Sequence, residues 1–139
     1  MDLFHNNGAA FSECRNYRYA LWRIWDDSKP LVMFVGLNPS TANEQTDDPT
    51  IRRVKRFASD WGFGGVYMMN LFAWVSPYPE QLETCTDPVG ENDHWLSKIS
   101  HKCNEVVFAW GSFDQASERS EKVLKMFSNA KALMVNKDG

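Results

Sequence analysis

The stretch Leu31–Ser40, L-V-M-F-V-G-L-N-P-S, sets the strongest limit on what this chain can fold into. Five apolar residues run into a glycine and then a polar turn, the pattern of a strand buried on both faces before it opens into a loop. The segment is therefore expected to be the central parallel strand of an α/β domain. Gly36 lets the backbone leave the sheet without a side-chain clash, Pro39 fixes one backbone angle, and Asn38 stands between them at the strand's C-terminal mouth. In open α/β sheets that mouth is where ligands bind. An ordinary Gly/Asn/Pro turn has the same appearance over so few residues, and the rest of the chain must decide between the two.

Around that strand the chain reads as alternating elements. Residues 1–15 carry no clear period and are expected to be a loop or arm. Tyr17–Trp25, Y-R-Y-A-L-W-R-I-W, is rich in strand formers and predicts an edge strand or ribbon, with a short helix as the alternative. Asp26–Pro30 turns into the central strand, and T-A-N-E-Q-T after it is an exposed loop. Asp47 or Asp48 then caps a helix with Pro49 in its first turn. Ile51, Val54, Ala58 and Trp61 form its apolar stripe, and Gly62 ends it. Gly64-Gly65 leads into a second parallel strand, V-Y-M-M-N-L-F, which ends near Asn70 and completes a right-handed crossover.

Phe72–Asp93 contains Pro77, Pro79 and Pro88 and predicts a long irregular loop with a short turn at Glu80–Leu82. Loops of that length usually serve a function. A helix over about Glu91–Cys103 uses Trp95, Leu96 and Ile99 inward. Glu105–Trp110 is the third strand, and a helix from Phe113 or Asp114 to Ser128 turns Val123, Leu124 and Phe127 inward. Ala130–Val135 is the fourth strand. The sum is a three-layer α/β/α domain with a four-stranded parallel sheet.

Composition narrows the partners. Six Trp and nine Phe among 139 residues supply a large aromatic core in a single domain. A net charge of -3 argues against a general polyanion binder, whose affinity comes from an excess of Lys and Arg, and leaves a local basic patch open. Cys14, Cys85 and Cys103 are odd in number and widely spaced, which indicates neither a disulfide framework nor a zinc site and fits a reducing cytoplasm. The chain starts without a charged and apolar leader and has no membrane-length apolar run. No motif implies a cofactor. His94 and His101 share a helix face without the further ligands a metal needs.

With these elements placed, L-N-P-S-T-A, D-D-P-T-I-R-R, N-L-F-A, D-P-V-G-E-N-D and A-W-G, in that order and closing on K-D-G, resemble the family called domain of unknown function 1643. That resemblance covers nearly the whole chain from Tyr17 onward. A more distant one is to the uracil-DNA glycosylases. Their first motif, G-x-[D/N]-P, is similar to G-L-N-P at Gly36–Pro39. Their base-reading Asn at the end of the next strand is matched by Asn70, and their W-G-S-x-x-Q by V-V-F-A-W-G-S-F-D-Q from Val106 to Gln115. They also carry a later His-Pro motif whose His donates to the base. This sequence ends at Gly139 before one, so the resemblance implies a truncated chain.

The resemblance implies a uracil-DNA glycosylase-like fold and a nucleobase or nucleotide site made of Gly36, Leu37, Asn38, Pro39, Ser40, Asn70 and Phe72. Asn38 aligns a water through its side-chain carbonyl, Asn70 offers a donor and an acceptor to a pyrimidine edge, and Phe72 or Trp74 stacks on the base. Ser40 alternatively only shapes its loop. Arg52 and Arg56, one helical turn apart, hold a phosphate, or simply belong with Arg53 and Lys55 to a solvated face. The leading expectation is N-glycosidic chemistry on a nucleobase, nucleotide or single-stranded nucleic acid. Two alternatives are a non-catalytic binding module using the same cleft and a domain that keeps the fold for protein contacts.

Overall fold

The computed structural model describes residues 6–76, 87, 89–109, 116–127 and 131–132. Leu31–Gly36 forms β3, with every residue after Leu31 buried. Around it lie β1 (Asn6–Phe11), β2 (Arg18–Ile24), α1 (Pro49–Asp60), β4 (Gly65–Asn70), α2 (Asn92–Ser100), β5 (Glu105–Phe108), α3 (Ala116–Met126) and β6 (Lys131–Ala132).

The strand order is β1-β2-β4-β3-β5-β6. The neighbours β4, β3, β5 and β6 pair in parallel, whereas β2 runs antiparallel to β4 and β1 antiparallel to β2. The domain is α/β, but the four-stranded parallel sheet expected from the sequence is corrected to a mixed six-stranded one. Two misreadings combine here. Tyr17–Trp25 does not form an edge: β2 is an interior strand, because β1 covers its outer side. The supposed N-terminal arm supplies β1, whose N-N-G-A-A-F contains no β-branched residue and so gives no strand signal. Cross-strand packing makes it a strand. A β-carbon on Gly8 would fall on the Trp22 indole opposite, so glycine lets that ring lie across the pair.

Side chains alternate across β3 and sort the core into two sides. Val32 and Phe34 pack with Ile51, Val54 and Ala58 of α1, together with Leu21, Val66 and Met68. Met33 and Val35 pack with Leu96 and Ile99 of α2 and Val123 of α3, together with Met69 and Phe108. The sheet therefore carries α1 on one face and α2 and α3 on the other.

Helix α1 starts where the sequence places it. Asp48 is the N-cap, its Oδ1 accepting from the Ile51 N–H at 2.9 Å, and Pro49 follows at the position where a missing N–H costs nothing. Gly62, at φ 89°, takes the left-handed conformation that terminates the helix. The stripe is shorter than expected. Trp61 is 47% exposed because it lies at the C-cap, beyond the last turn that faces the sheet, although its ring stacks on Phe57 and Phe34.

On the opposite face α2 ends at Ser100, short of Cys103, and α3 buries Val123 while leaving Leu124 45% exposed. Adjacent helical residues point about 100° apart, so one helix cannot turn both equally toward a flat sheet. Strand β5 stops at Phe108. The expected extensions of β5, α3 and β6 over Trp110–Gln115, Ser128–Ala130 and 133–135, and the turn at Glu80–Leu82, lie outside the described residues. Among the described residues no helix is long and apolar enough to cross a membrane.

Candidate ligand site at the strand ends

The connection after β3 leads to α1 on one face and that after β4 leads to α2 on the other. In open α/β sheets such a divergence marks the place where ligands are bound, at the C-terminal ends of the strands. Gly36 and Asn70 are register partners at this boundary. Beyond them the two segments stay together, with Leu71 N–H donating to Gly36 O, Phe72 N–H to Leu37 O and Ser76 N–H to Pro39 O at 2.8 to 3.0 Å. Gly36, Leu37, Asn38, Pro39 and Asn70 are thus brought to one place, and the half-buried Ser40 follows directly.

Asn38 is oriented by its neighbours. Its Nδ2 donates to Ser76 O at 2.9 Å and to Pro39 O at 3.3 Å. Both partners are carbonyl oxygens and can only accept, so the nitrogen must face them and the side-chain oxygen faces away. That oxygen receives no hydrogen bond from the described residues.

Asn70 is 3% exposed, and its carboxamide lies over the α-carbon of Gly36. Its Nδ2 is buried without an acceptor among the described residues. An unsatisfied buried donor costs roughly 1–3 kcal/mol, which makes it an unusual thing for a fold to keep.

The mouth is braced from the face that carries α2 and α3. Asn92 Nδ2 donates to Asn70 O at 2.6 Å and to Leu71 O at 3.1 Å, and Arg119 Nε donates to Leu71 O at 2.7 Å. Arg119 is in turn ion-paired with Asp93, which also holds Lys122. Burial pushes the Asp93 carboxyl up, but Arg119 and Lys122 more than reverse this and hold it below the usual carboxylate range. Sequence reasoning missed Asn92 and Arg119. Asn92 has a signal in the D-P-V-G-E-N-D motif, whereas Arg119 stands only as a polar residue one turn before the buried Val123.

A second brace fixes the loop between β3 and α1. Arg18 donates to Ala42 O, and Arg23, 2% exposed, donates to the carbonyls of Asn43 and Thr46 and to Asp47 Oδ1. Burial lowers the Arg18 guanidinium to a pKa of about 10, against the opposing charge of Asp48, so it stays cationic at neutral pH. Asp48 also accepts from Ala42 N–H, tying the loop to the helix cap.

Two expected ligand groups are placed differently. The Phe72 ring is 6% exposed and packs in the core cluster with Ala20, Tyr67 and Leu96, while Trp74 stands edge-on to Tyr17. Arg52 and Arg56 line a cavity of 430 Å³ on the flank of α1 that faces the β1–β2 hairpin. That cavity also touches Ile24, the register partner of Gly65 at the opposite end of β4 from Asn70. His94 and His101 are both exposed, and among the described residues no three His, Cys, Asp or Glu side chains are grouped to hold a metal. The W-G-S-F-D-Q segment, Trp110–Gln115, and Cys85 lie outside the described residues.

From residue 18 to residue 139 the sequence matches the family described as Protein of unknown function (DUF1643). The chain belongs to that family. Within DUF1643, the matched region starts at the first residue of β2 and takes in the whole parallel part of the sheet and both segments of the mouth. No match was found among curated proteins or among solved structures.

Proposed function

We propose that this DUF1643 protein binds a nucleobase or nucleotide in the crevice at the ends of β3 and β4, on a uracil-DNA glycosylase-like fold, and hydrolyses its N-glycosidic bond. The observation that carries the reading is the pair of carboxamides. Asn38 presents a fixed acceptor, and Asn70 keeps a buried donor without a partner among the described residues. A base carbonyl supplied to Asn70 Nδ2 would recover the cost of that orphan donor. In the reaction, Asn38 Oδ1 accepts a hydrogen bond from a water, which attacks the anomeric carbon. The C–N bond breaks with its electron pair leaving on the base, and the water's proton passes to solvent or to the base.

One property favours the alternative of a binding module without turnover. A carboxamide does not take a proton at neutral pH, so Asn38 acts only by position.

The test is base release from uracil-containing single-stranded DNA, alongside calorimetric binding of uracil and uridine monophosphate, for the wild type, Asn38→Ala and Asn70→Ala. Release abolished by Asn38→Ala supports the enzyme. Binding weakened by Asn70→Ala with no release supports the module. Neither release nor binding refutes both readings.

A further inference from the structure

The cavity beside α1 has a construction unlike the mouth. Arg52, Lys55, Arg56 and Ser59 recur at helical spacing on the flank of α1 that faces the hairpin, and Arg23 and Trp25 come from β2 and the residue just after it. Asp47 is the one carboxylate in ion-pair contact with these cations among the described residues, and it is shared by Arg23 and Lys55. Asp60, one turn beyond Arg56, makes no ion pair with it. In a chain of net charge -3, this groove therefore carries a local excess of about three positive charges.

The cations divide into two kinds. Arg23 lies in the floor with its donors spent on Asp47 and on backbone carbonyls, and it contributes field but no free hydrogen. Arg52 and Arg56 are exposed and meet no carboxylate among the described residues, and Arg52 has one weak contact to Asp47 O at 3.3 Å. Two guanidinium forks one turn apart over a positive floor suit a group with several anionic oxygens, which is what a phosphomonoester presents. At 430 Å³ the cavity is far larger than a phosphate ion and falls in the range of small-ligand sites. Trp25 gives it one flat, half-buried aromatic wall.

We propose that this groove is a binding site for a small phosphorylated molecule with a planar group, the phosphate held by Arg52 and Arg56 and the planar part against Trp25. It does not rest on the nucleobase reading of the mouth, from which it is separated by the length of β4, roughly 17 Å.

The test is isothermal titration of the full chain with adenosine 5′-monophosphate, inorganic phosphate and a single-stranded oligonucleotide at low and high salt. Arg52→Gln, Arg56→Gln and the double variant keep good helix formers at exposed positions, so they fold, and circular dichroism checks this. Expected is adenosine 5′-monophosphate binding tighter than inorganic phosphate, a loss of at least about tenfold in each single variant, and no change in Arg53→Gln, an exposed cation of α1 outside the cavity lining. Undiminished binding in the double variant would overturn the site. So would the absence of adenosine 5′-monophosphate binding at millimolar concentration. Oligonucleotide binding with a steep salt slope, in preference to the mononucleotide, would overturn the assignment to a small ligand.

Discussion

The side-chain oxygen of Asn70 sits 2.9 Å from where a β-carbon on Gly36 would be, and the Met68 methyl only 2.7 Å from it. The glycine of G-L-N-P therefore has a packing role besides freeing the turn: it leaves the space in which the Asn70 carboxamide lies. Gly36→Ala is expected to cost roughly 1–3 kcal/mol through overpacking. It should also weaken any ligand bound through Asn70. Urea unfolding measures the first and calorimetry the second, and a variant of unchanged stability would refute this packing account.

Asp48 joins the helix cap, the Ala42 N–H and the charge environment of buried Arg18. Asp48→Ala is expected to lose about 1–2 kcal/mol for the cap alone, and more because Arg18 keeps its buried charge without the nearby carboxylate. Asp48→Asn retains a capping oxygen and should fall between the two. Equal urea midpoints for all three proteins would contradict the assignment.

Asp47 provides a pH signature. Burial raises its carboxyl, but Lys55 and Arg23 outweigh that and hold it below the ordinary value. A carboxylate depressed by folding stabilises fully above its unfolded pKa of about 3.9, and that contribution disappears as pH falls through the lower folded value. The stability gap between wild type and Asp47→Asn should thus be constant from pH 7 to about 5 and shrink toward pH 2.5. A gap that persists undiminished at pH 2.5 would show that the charge is not what matters there.

The two described thiols should separate cleanly. Burial pushes Cys103 up to about 12, whereas exposed Cys14 is lowered by its hydrogen bond with Ser12 and by the backbone of Asn16. At pH 8 only about one in ten thousand Cys103 side chains is then thiolate. In a Cys85→Ser background, iodoacetamide is expected to label Cys14 at least about a hundredfold faster than Cys103. Mass spectrometry of the two peptides measures the ratio, and comparable rates would refute the burial of Cys103.

What the sequence made legible was whatever local pattern alone specifies. L-V-M-F-V-G and V-Y-M-M-N are apolar without interruption, and D-D-P-T-I-R-R-V carries a cap, a proline and a stripe, so β3, β4 and α1 could be placed from their own residues. β1 could not, because its pairing is decided by Trp22 lying over Gly8, a contact between residues fourteen positions apart. Val123 and Leu124 are equally apolar neighbours, and only the angle at which α3 meets the sheet selects the first.

The site divides in the same way. Asn38 and Asn70 are put together in the sequence only by the resemblance, and what the structure adds is that β3 and β4 end side by side, with Gly36 and Asn70 in register. Arg52 and Arg56 could be seen as a basic face, but the hairpin that turns that face into a groove, and Arg23 beneath it, depend on where β1 and β2 add to the sheet.

That hairpin also bears on how the molecule survives in a crowded cell. Without β1, the outermost strand would be R-Y-A-L-W-R-I, an aromatic sequence with an open row of backbone donors and acceptors, the kind of edge that recruits other chains into aggregates. Asn6, Asn7, Gly8 and two alanines have low strand propensity, and the register irregularity at Ala10/Phe11 interrupts the edge, so β1 is the poorer template of the two. The weakest strand by composition is the one that closes this side of the sheet, and the lack of β-branched residues that hides it from pattern reading suits it to be a terminus of self-association.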